Sequence, residues 1–216
     1  EEKVMVTANG ILPIVINKRW ERDPYKLIYA SSYDRGLVYL LNMWPDIKKE
    51  VPQAHLEIFY GWILYDVVHK GNPARMKWKV QVQELMRQEG ITDHGRIGHT
   101  ELGKEFATSG IWAYSCSFEE ISCINGMKAQ SFGAVPVVTD YAALKETVQY
   151  GVKVPVDITT PEGQEVYKKE LIAMLKDPKR QEEIRKEMMP WASEKFIWKH
   201  VARQWKELFD QGGEKK

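Results

Sequence analysis

The residues best placed to do chemistry lie between Phe118 and Val138. There a carboxylate pair, Glu119 and Glu120, precedes Ile121-Ser122-Cys123, a helix-like stretch beginning near Ser122, and Gly133 leading into the apolar run Val135-Pro136-Val137-Val138. The unpaired N–H groups at a helix start carry roughly half a positive charge and suit a diphosphate, while a neighbouring carboxylate can accept hydrogen bonds from sugar hydroxyls. Together they suggest a nucleotide-sugar site. An arbitrary Glu-Glu pair is more often two solvated loop side chains. The order of strand, loop, carboxylate and helix entry instead favours Glu120 as the sugar-facing residue and leaves Glu119 exposed.

A second candidate is Ser31-Ser32-Tyr33-Asp34-Arg35-Gly36, which follows the apolar run Leu27-Ile28-Tyr29-Ala30. It sits between a strand and a helix, where open α/β sheets bind ligands beyond the carboxyl ends of their strands. Asp34 and Gly36 are ordinary turn residues, so a simple βα turn accounts for them. Arg35 adds a guanidinium able to hold a phosphate by charge-assisted bonds, each contributing roughly 1.5 to 3 kcal/mol. None of the five histidines has triad or metal-ligand spacing. His99 alone is retained, as a rim residue, and Trp62, Trp112 and Trp198 read as core rather than as stacking platforms.

The elements that must position these residues alternate between strand-length apolar runs and amphipathic stretches, which predicts an α/β fold with a Rossmann-like parallel sheet of about six strands flanked by helices. The strands are Leu27 to Ala30, Leu56 to Gly61, His94 to Ile97, Ile111 to Tyr114, Val135 to Val138 and Gly151 to Val154. A helix from Gly36 to Lys49 carries Leu37, Leu40, Leu41, Trp44 and Ile47 on one face. Pro45 is awkward in it, and either ends the main helix near Trp44 or starts a final turn. Ala74 to Gln88 reads as a helix with a solvated basic face, Gly90 to Asp93 as a turn, Thr100 as the cap of the next helix, and Tyr141 to Val148 as a short helix. From Thr160 the pattern is helical, with Pro161, Pro178 and Pro190 at starts or boundaries and Phe196, Trp198, Trp205 and Phe209 spaced for packing.

Composition bounds the function. At 216 residues the chain should fold as one domain, and a formal charge of +1 with evenly mixed signs gives no broad field for nucleic acid. Cys116 and Cys123 form no CxxC and no ligand cluster, so neither a disulfide framework nor structural zinc is expected and a reducing cytosol fits. No apolar run approaches the roughly 18 residues of a spanning helix, and Glu1-Glu2-Lys3 is not a signal peptide. The expectation is a cytoplasmic protein, soluble or peripheral at a membrane.

These residues also match a pattern. The chain resembles, over almost its whole length, the C-terminal donor-binding domain of GT-B glycosyltransferases of the family-four type. Asn9-Gly10-Ile11 is similar to the segment where such enzymes pass from acceptor to donor domain, and Tyr29 to Leu37 resembles the first phosphate loop, with Arg35 in the place of a basic residue that contacts the donor diphosphate. The resemblance thus implies donor contacts from Ser31, Ser32, Arg35 and Gly36. Gly95-Arg96-Ile97 before Glu101-Leu102 is similar to the segment bordering the nucleotide base, and Ser115 to Val138 resembles the Glu-x7-Glu region. Glu120 matches the first Glu, a donor-sugar contact, and the backbone of Ile121, Ser122 and Cys123 would lie near sugar and phosphates. Lys128 stands where the second Glu belongs. That carboxylate accepts hydrogen bonds from ribose hydroxyls, whereas an ammonium can only donate, so ribose recognition must differ here.

The resemblance divides the chain into an interdomain crossing at residues 1–25, a donor-binding domain at 26–210 and a disordered tail at 211–216. It implies sugar transfer from a nucleotide diphosphate sugar to an unknown acceptor glycan, lipid or protein, with retention. Arg35 and the helix start would stabilise the leaving diphosphate so that no metal ion is required, and Glu120 would orient the sugar. A preceding acceptor domain is absent from this sequence, so donor binding without efficient transfer is expected. The alternative is a non-catalytic nucleotide- or glycan-binding module, degenerate at Lys128. A dinucleotide-binding domain is disfavoured because no GxGxxG follows the first strand.

Overall fold

The structure, a computed structural model, describes residues 9–14 and 20–213. The expected crossing segment is therefore seen at Asn9 to Ile14 and from Trp20, and its remainder lies outside the described residues. Six strands, β1 (Asp23–Tyr29), β2 (His55–Ile58), β3 (Ile91–Asp93), β4 (Ser109–Tyr114), β5 (Val135–Thr139) and β6 (Val152–Val154), form one sheet in the order β3-β2-β1-β4-β5-β6. Every pairing is parallel. β4 and β5 are buried along their whole length, as expected for strands covered on both faces.

The helices are α1 (Leu37–Glu50), α2 (Ile63–His69), α3 (Pro73–Leu85), α4 (His99–Thr108), α5 (Ile124–Phe132), α6 (Leu144–Thr147), α7 (Pro161–Leu175), α8 (Pro178–Phe196) and α9 (Trp198–Gly213). From β1 the chain crosses through α1 to β2 on one side, whereas from β4 it crosses through α5 to β5 on the other. Right-handed crossovers in opposite directions place these helices on opposite faces, so α1 packs with α3 and α7, while α5 packs with α4 and α8. The order of the sheet therefore reverses between β1 and β4, and a crevice opens beyond their carboxyl ends.

The α1 face of Leu37, Leu40, Leu41, Trp44 and Ile47 is buried as the spacing predicts. Pro45, however, neither ends nor restarts the helix, which runs unbroken to Glu50. Proline leaves the carbonyl four residues earlier without its helical donor. That carbonyl, on Leu41, accepts from Gln88 Nε2 at 3.0 Å, so a side chain from beyond α3 replaces the missing bond. Pro190 likewise lies inside α8, while Pro161 and Pro178 do stand at helix starts behind the side-chain caps Thr160 and Asp177.

The third strand is displaced from its expected place. Ile91–Asp93 pairs with β2, and His94 to Ile97 forms the connection to α4. An edge strand with one neighbour needs no apolar run, and Gly90, at φ +80°, turns the chain into it. Asp93 is fastened from outside the strand, accepting from the Tyr33 hydroxyl at 2.6 Å. β2 also ends earlier than expected, at Ile58, and α2 follows where no helix is anticipated. Thr100 lies inside α4, whose N-cap is Gly98, with no side-chain cap. At the C-terminus Phe196 is buried, but Trp198, expected in the core, and Trp205 and Phe209 are exposed, the last two with their rings edge-on to each other. α9 continues to Gly213, so the expected tail is helical at its start, and residues 214–216 lie outside the described residues.

Candidate functional site

β1 and β4 are adjacent, with Leu27 opposite Ile111 and Ile28 opposite Trp112, so the loops that leave them meet. The first loop closes as a short 3-10 turn, Tyr33–Arg35, and ends at Gly36. Gly36 has φ +128°, and a Cβ there would stand 1.9 Å from the Ser115 carbonyl oxygen. Only glycine fits. The close approach is sealed by two bonds, Ser115 Oγ donating to the Gly36 carbonyl at 2.9 Å and the Ser117 N–H donating to the Arg35 carbonyl at 3.2 Å.

This seam brings together the two residues singled out from separate loops. Arg35 Nη1 donates to Glu120 Oε1 at 2.9 Å, and the guanidinium also lies 4.2 Å above the Phe118 ring. Glu120 is 9 % exposed and Arg35 33 %, so the carboxylate is largely sheltered and the cation faces the crevice. Burial alone would lower the Arg35 pKa, but the Glu120 charge and hydrogen bond outweigh it and raise it further. One N–H of five is used by Glu120, which leaves the guanidinium fork able to take a second anion. Glu119 is exposed, as expected, and its carboxylate lies 3.4 Å from the Tyr141 hydroxyl.

Tyr114 and Asn125 belong to the same constellation and were not legible beforehand. The Tyr114 hydroxyl donates to Glu120 Oε1 at 2.6 Å and lies 3.1 Å from Ser31 Oγ. Burial raises the Tyr114 pKa far above the phenol range, so it is a fixed donor that orients the carboxylate. Asn125, in the first turn of α5, donates to the Ala30 carbonyl and ties that helix to the end of β1. A polar residue in the first turn of a helix with apolar neighbours was the available signal. Ser31 is buried against Tyr114, and the Ser32 hydroxyl donates to Asp34 at 2.7 Å, so both shape the loop through internal bonds.

The start of α5 lies on the same rim. Its N-cap Cys123 makes no side-chain capping bond, and the first backbone bond within the helix is Met127 N–H to the Cys123 carbonyl. The earlier N–H groups of the turn thus have no backbone acceptor among the described residues, the electrostatic condition for an anion. Ile121 is fully exposed and Ser122 Oγ accepts from Asn9 Nδ2 at 3.0 Å, which draws the Asn9 to Ile14 segment over the helix. The same segment is held by Ile11, paired with Ile197 at the α8–α9 junction. Burial pushes the Cys123 thiol up to about 12 and raises Cys116 as well, so neither is a thiolate nucleophile at neutral pH.

Arg96 and Ile97 lie apart from the ion pair, in the connection between β3 and α4. Arg96 is exposed and Ile97 half-buried, and the Arg96 backbone passes close to Gly61 in the loop after β2. Lys128 is one turn inside α5. Its ammonium lies 3.2 Å from His99 Nδ1, at the floor of a groove of about 400 Å³ between the Gly10 to Ile14 segment, α4, α5 and Trp198. Burial lowers the Lys128 pKa. No group of three or more His, Cys, Asp or Glu side chains among the described residues could hold a metal ion.

A doubly wound parallel sheet with this strand order, its anion-suited rim at the switch point and a helical C-terminal segment is the architecture of one half of a GT-B fold. Solved glycosyltransferase structures share it. The pneumococcal O-GlcNAc transferase GtfA in complex with UDP and GlcNAc superposes with a TM-score of 0.69 and 16% identity over 95% of this chain and 38% of that one. Anabaena HepE in complex with UDP and glucose gives 0.67 and 15% over 87% and 48%, and sucrose-phosphate synthase from Thermosynechococcus elongatus 0.66 and 19% over 88% and 46%. At these identities the likeness is one of fold, and the chain spans less than half the length of each of these structures. No protein-family model and no curated protein sequence matches it.

Proposed function

We propose that the chain is the donor-binding half of a retaining glycosyltransferase of the family-four type, transferring a sugar from a nucleotide diphosphate sugar to a glycan, lipid or protein acceptor in the cytoplasm. The observation that carries this reading is the Arg35–Glu120 pair at the switch point, beside the uncapped start of α5. The guanidinium and the helix start would take the diphosphate, with Ser31, Ser32 and Gly36 shaping the loop and the Ile121 to Cys123 backbone beside the phosphates. Glu120, oriented by Tyr114, would hold the sugar hydroxyls, and Arg96 and Ile97 would border the base. Leaving-group stabilisation is then electrostatic and needs no metal ion. UDP and UDP-sugar complexes among the structures of like fold support the ligand class.

Calorimetry with UDP, GDP, ADP and their sugars tests the reading. One nucleotide series should bind, and Arg35→Ala should weaken it about ten- to hundredfold, the worth of one charge-assisted contact. Failure of every nucleotide to bind at millimolar concentration refutes it. The acceptor side would come from a second domain, as the share of each solved chain that is covered suggests. Efficient sugar transfer by the isolated chain counts against that arrangement. Lys128, in place of a ribose-binding carboxylate, favours a second reading as a non-catalytic nucleotide-binding module. Nucleotide binding without turnover in a two-domain form would select it.

A further inference from the structure

We infer that α2 is a membrane-docking element, whose outward apolar face enters the interface of a bilayer carrying anionic lipids. The inference stands on α2 and α3 and holds whether or not a nucleotide sugar occupies the Arg35–Glu120 rim. Ile63, Leu64, Val67 and Val68 follow the spacing of one helical face, and they are 68, 47, 70 and 73 % exposed. Single exposed apolar side chains are ordinary on a protein surface, whereas a contiguous face of them marks a contact. The polar and aromatic side of the helix is the one turned inward. Tyr65 is its buried residue and donates to the Arg75 carbonyl at 3.0 Å, and Asp66 accepts from Lys79 at 2.6 and 2.8 Å. These bonds to α3 fix which side of α2 faces outward.

The surroundings are cationic. Lys70 closes α2, and Arg75 and Lys77 lie in the first turns of α3; all three are exposed, and none forms an ion pair among the described residues. The carboxylates of the two helices, Asp66 and Glu84, are taken by Lys79 and Arg87. With a formal charge of only +1 on the whole chain, this excess is local. Aliphatic side chains beside unpaired Lys and Arg match acyl chains beneath phosphate head groups. A second copy of the chain is a poorer match. A face two turns long falls short of the roughly 800 Å² per partner of a stable interface, and a two-fold contact would bring the cations of both copies together. Trp62, just before α2, packs edge-on against Tyr33 with ring centroids 4.7 Å apart, so docking would hold the crevice end of the sheet near the lipid.

The test is flotation with phosphatidylcholine vesicles, either pure or containing about a third phosphatidylglycerol. At low salt the unaltered chain should bind the mixed vesicles at least about tenfold more tightly than the pure ones, and high salt should erase most of that difference. Val67→Asp combined with Val68→Asp should weaken binding to the mixed vesicles by at least about tenfold. Its melting temperature should be unchanged, because both side chains already face solvent. Lys70→Glu combined with Lys77→Glu should remove the preference for the anionic lipid. Failure of the unaltered chain to bind the mixed vesicles at low salt overturns the inference, whatever the variants do. Undiminished binding by the folded Val67→Asp, Val68→Asp chain overturns it as well. So does self-association of the unaltered chain in analytical ultracentrifugation that these two substitutions abolish, since the face then belongs to a second copy. UDP titrated in parallel keeps the two readings apart: vesicle binding lost in the aspartate variant with UDP binding unchanged supports a separate docking face.

Discussion

Replacing Gly36 with alanine probes the seam on which the site depends. With φ +128° and ψ 0°, Gly36 occupies backbone space essentially closed to L-residues, at a cost of about 1–3 kcal/mol. The new methyl group would also stand 1.9 Å from the Ser115 carbonyl oxygen, an encounter with backbone that no rotamer relieves. The loop would have to withdraw from β4, losing the Ser115 Oγ to Gly36 and Ser117 N–H to Arg35 bonds, each worth about 1 kcal/mol. The sum is about 3–5 kcal/mol. For a chain of this size each kcal/mol moves the melting temperature by about 2–4 °C, so a fall of about 6–20 °C is expected by calorimetry or circular dichroism. Gly71→Ala supplies the internal control, because Gly71 has φ +83° but nothing within 4 Å of a Cβ, and strain alone should cost about 1 kcal/mol. Equal melting temperatures for Gly36→Ala and Gly71→Ala would refute the claim that the β4 carbonyl imposes glycine.

Three further outcomes follow from the same structure. Gln88→Ala removes the donor to both the Leu41 and Leu85 carbonyls, and urea unfolding should register a loss of about 1–3 kcal/mol even though Pro45 is untouched. Because burial lowers the Lys128 pKa, the unfolded chain binds more protons than the folded one above that lowered value. The charge penalty is thus full below the folded pKa and relieved as pH rises toward the ordinary value near about 10.4. Lys128→Met should accordingly be as stable as the parent or more so at pH 7, with the gap shrinking in melts at alkaline pH; a gap that widens as pH rises contradicts the argument. Cys116 and Cys123, both buried with raised pKa values, should react with iodoacetamide at pH 8 far more slowly in the native protein than in urea, as read by mass spectrometry.

The elements most legible in the sequence were those with a strong burial requirement. Leu27–Ala30, Ile111–Tyr114 and Val135–Val138 are apolar because central parallel strands are covered on both faces, and the α1 stripe records the face that packs against the sheet. β3 and α2 were missed for the opposite reason. β3 is a short edge strand with polar residues, and α2 is only two turns long, its apolar residues Ile63, Leu64, Val67 and Val68 lying together on an exposed face, so neither carries the buried stripe that marks a core element. Pro45 misled because the compensating donor, Gln88, lies far away in sequence.

For the site, residue chemistry named the anion-binding and sugar-binding candidates, Arg35 and Glu120, since charge type and position after a strand are local properties. Their contact was not local. It exists because β1 and β4, distant in the chain, are neighbours at the switch point, and because Gly36 lets the two loops touch. Asn125 as the tie between α5 and the end of β1 depends on that same adjacency, whereas Tyr114 reaches Glu120 within β4 and the loop that follows it, and Lys128 meets His99 because α5 packs on α4. The sequence by itself determined the α/β class, the central strands and the chemical groups available. Which groups meet, which are desolvated and which are left to face a ligand was decided only by the tertiary structure, because hydrogen bonds and burial act through space between segments that no spacing rule connects.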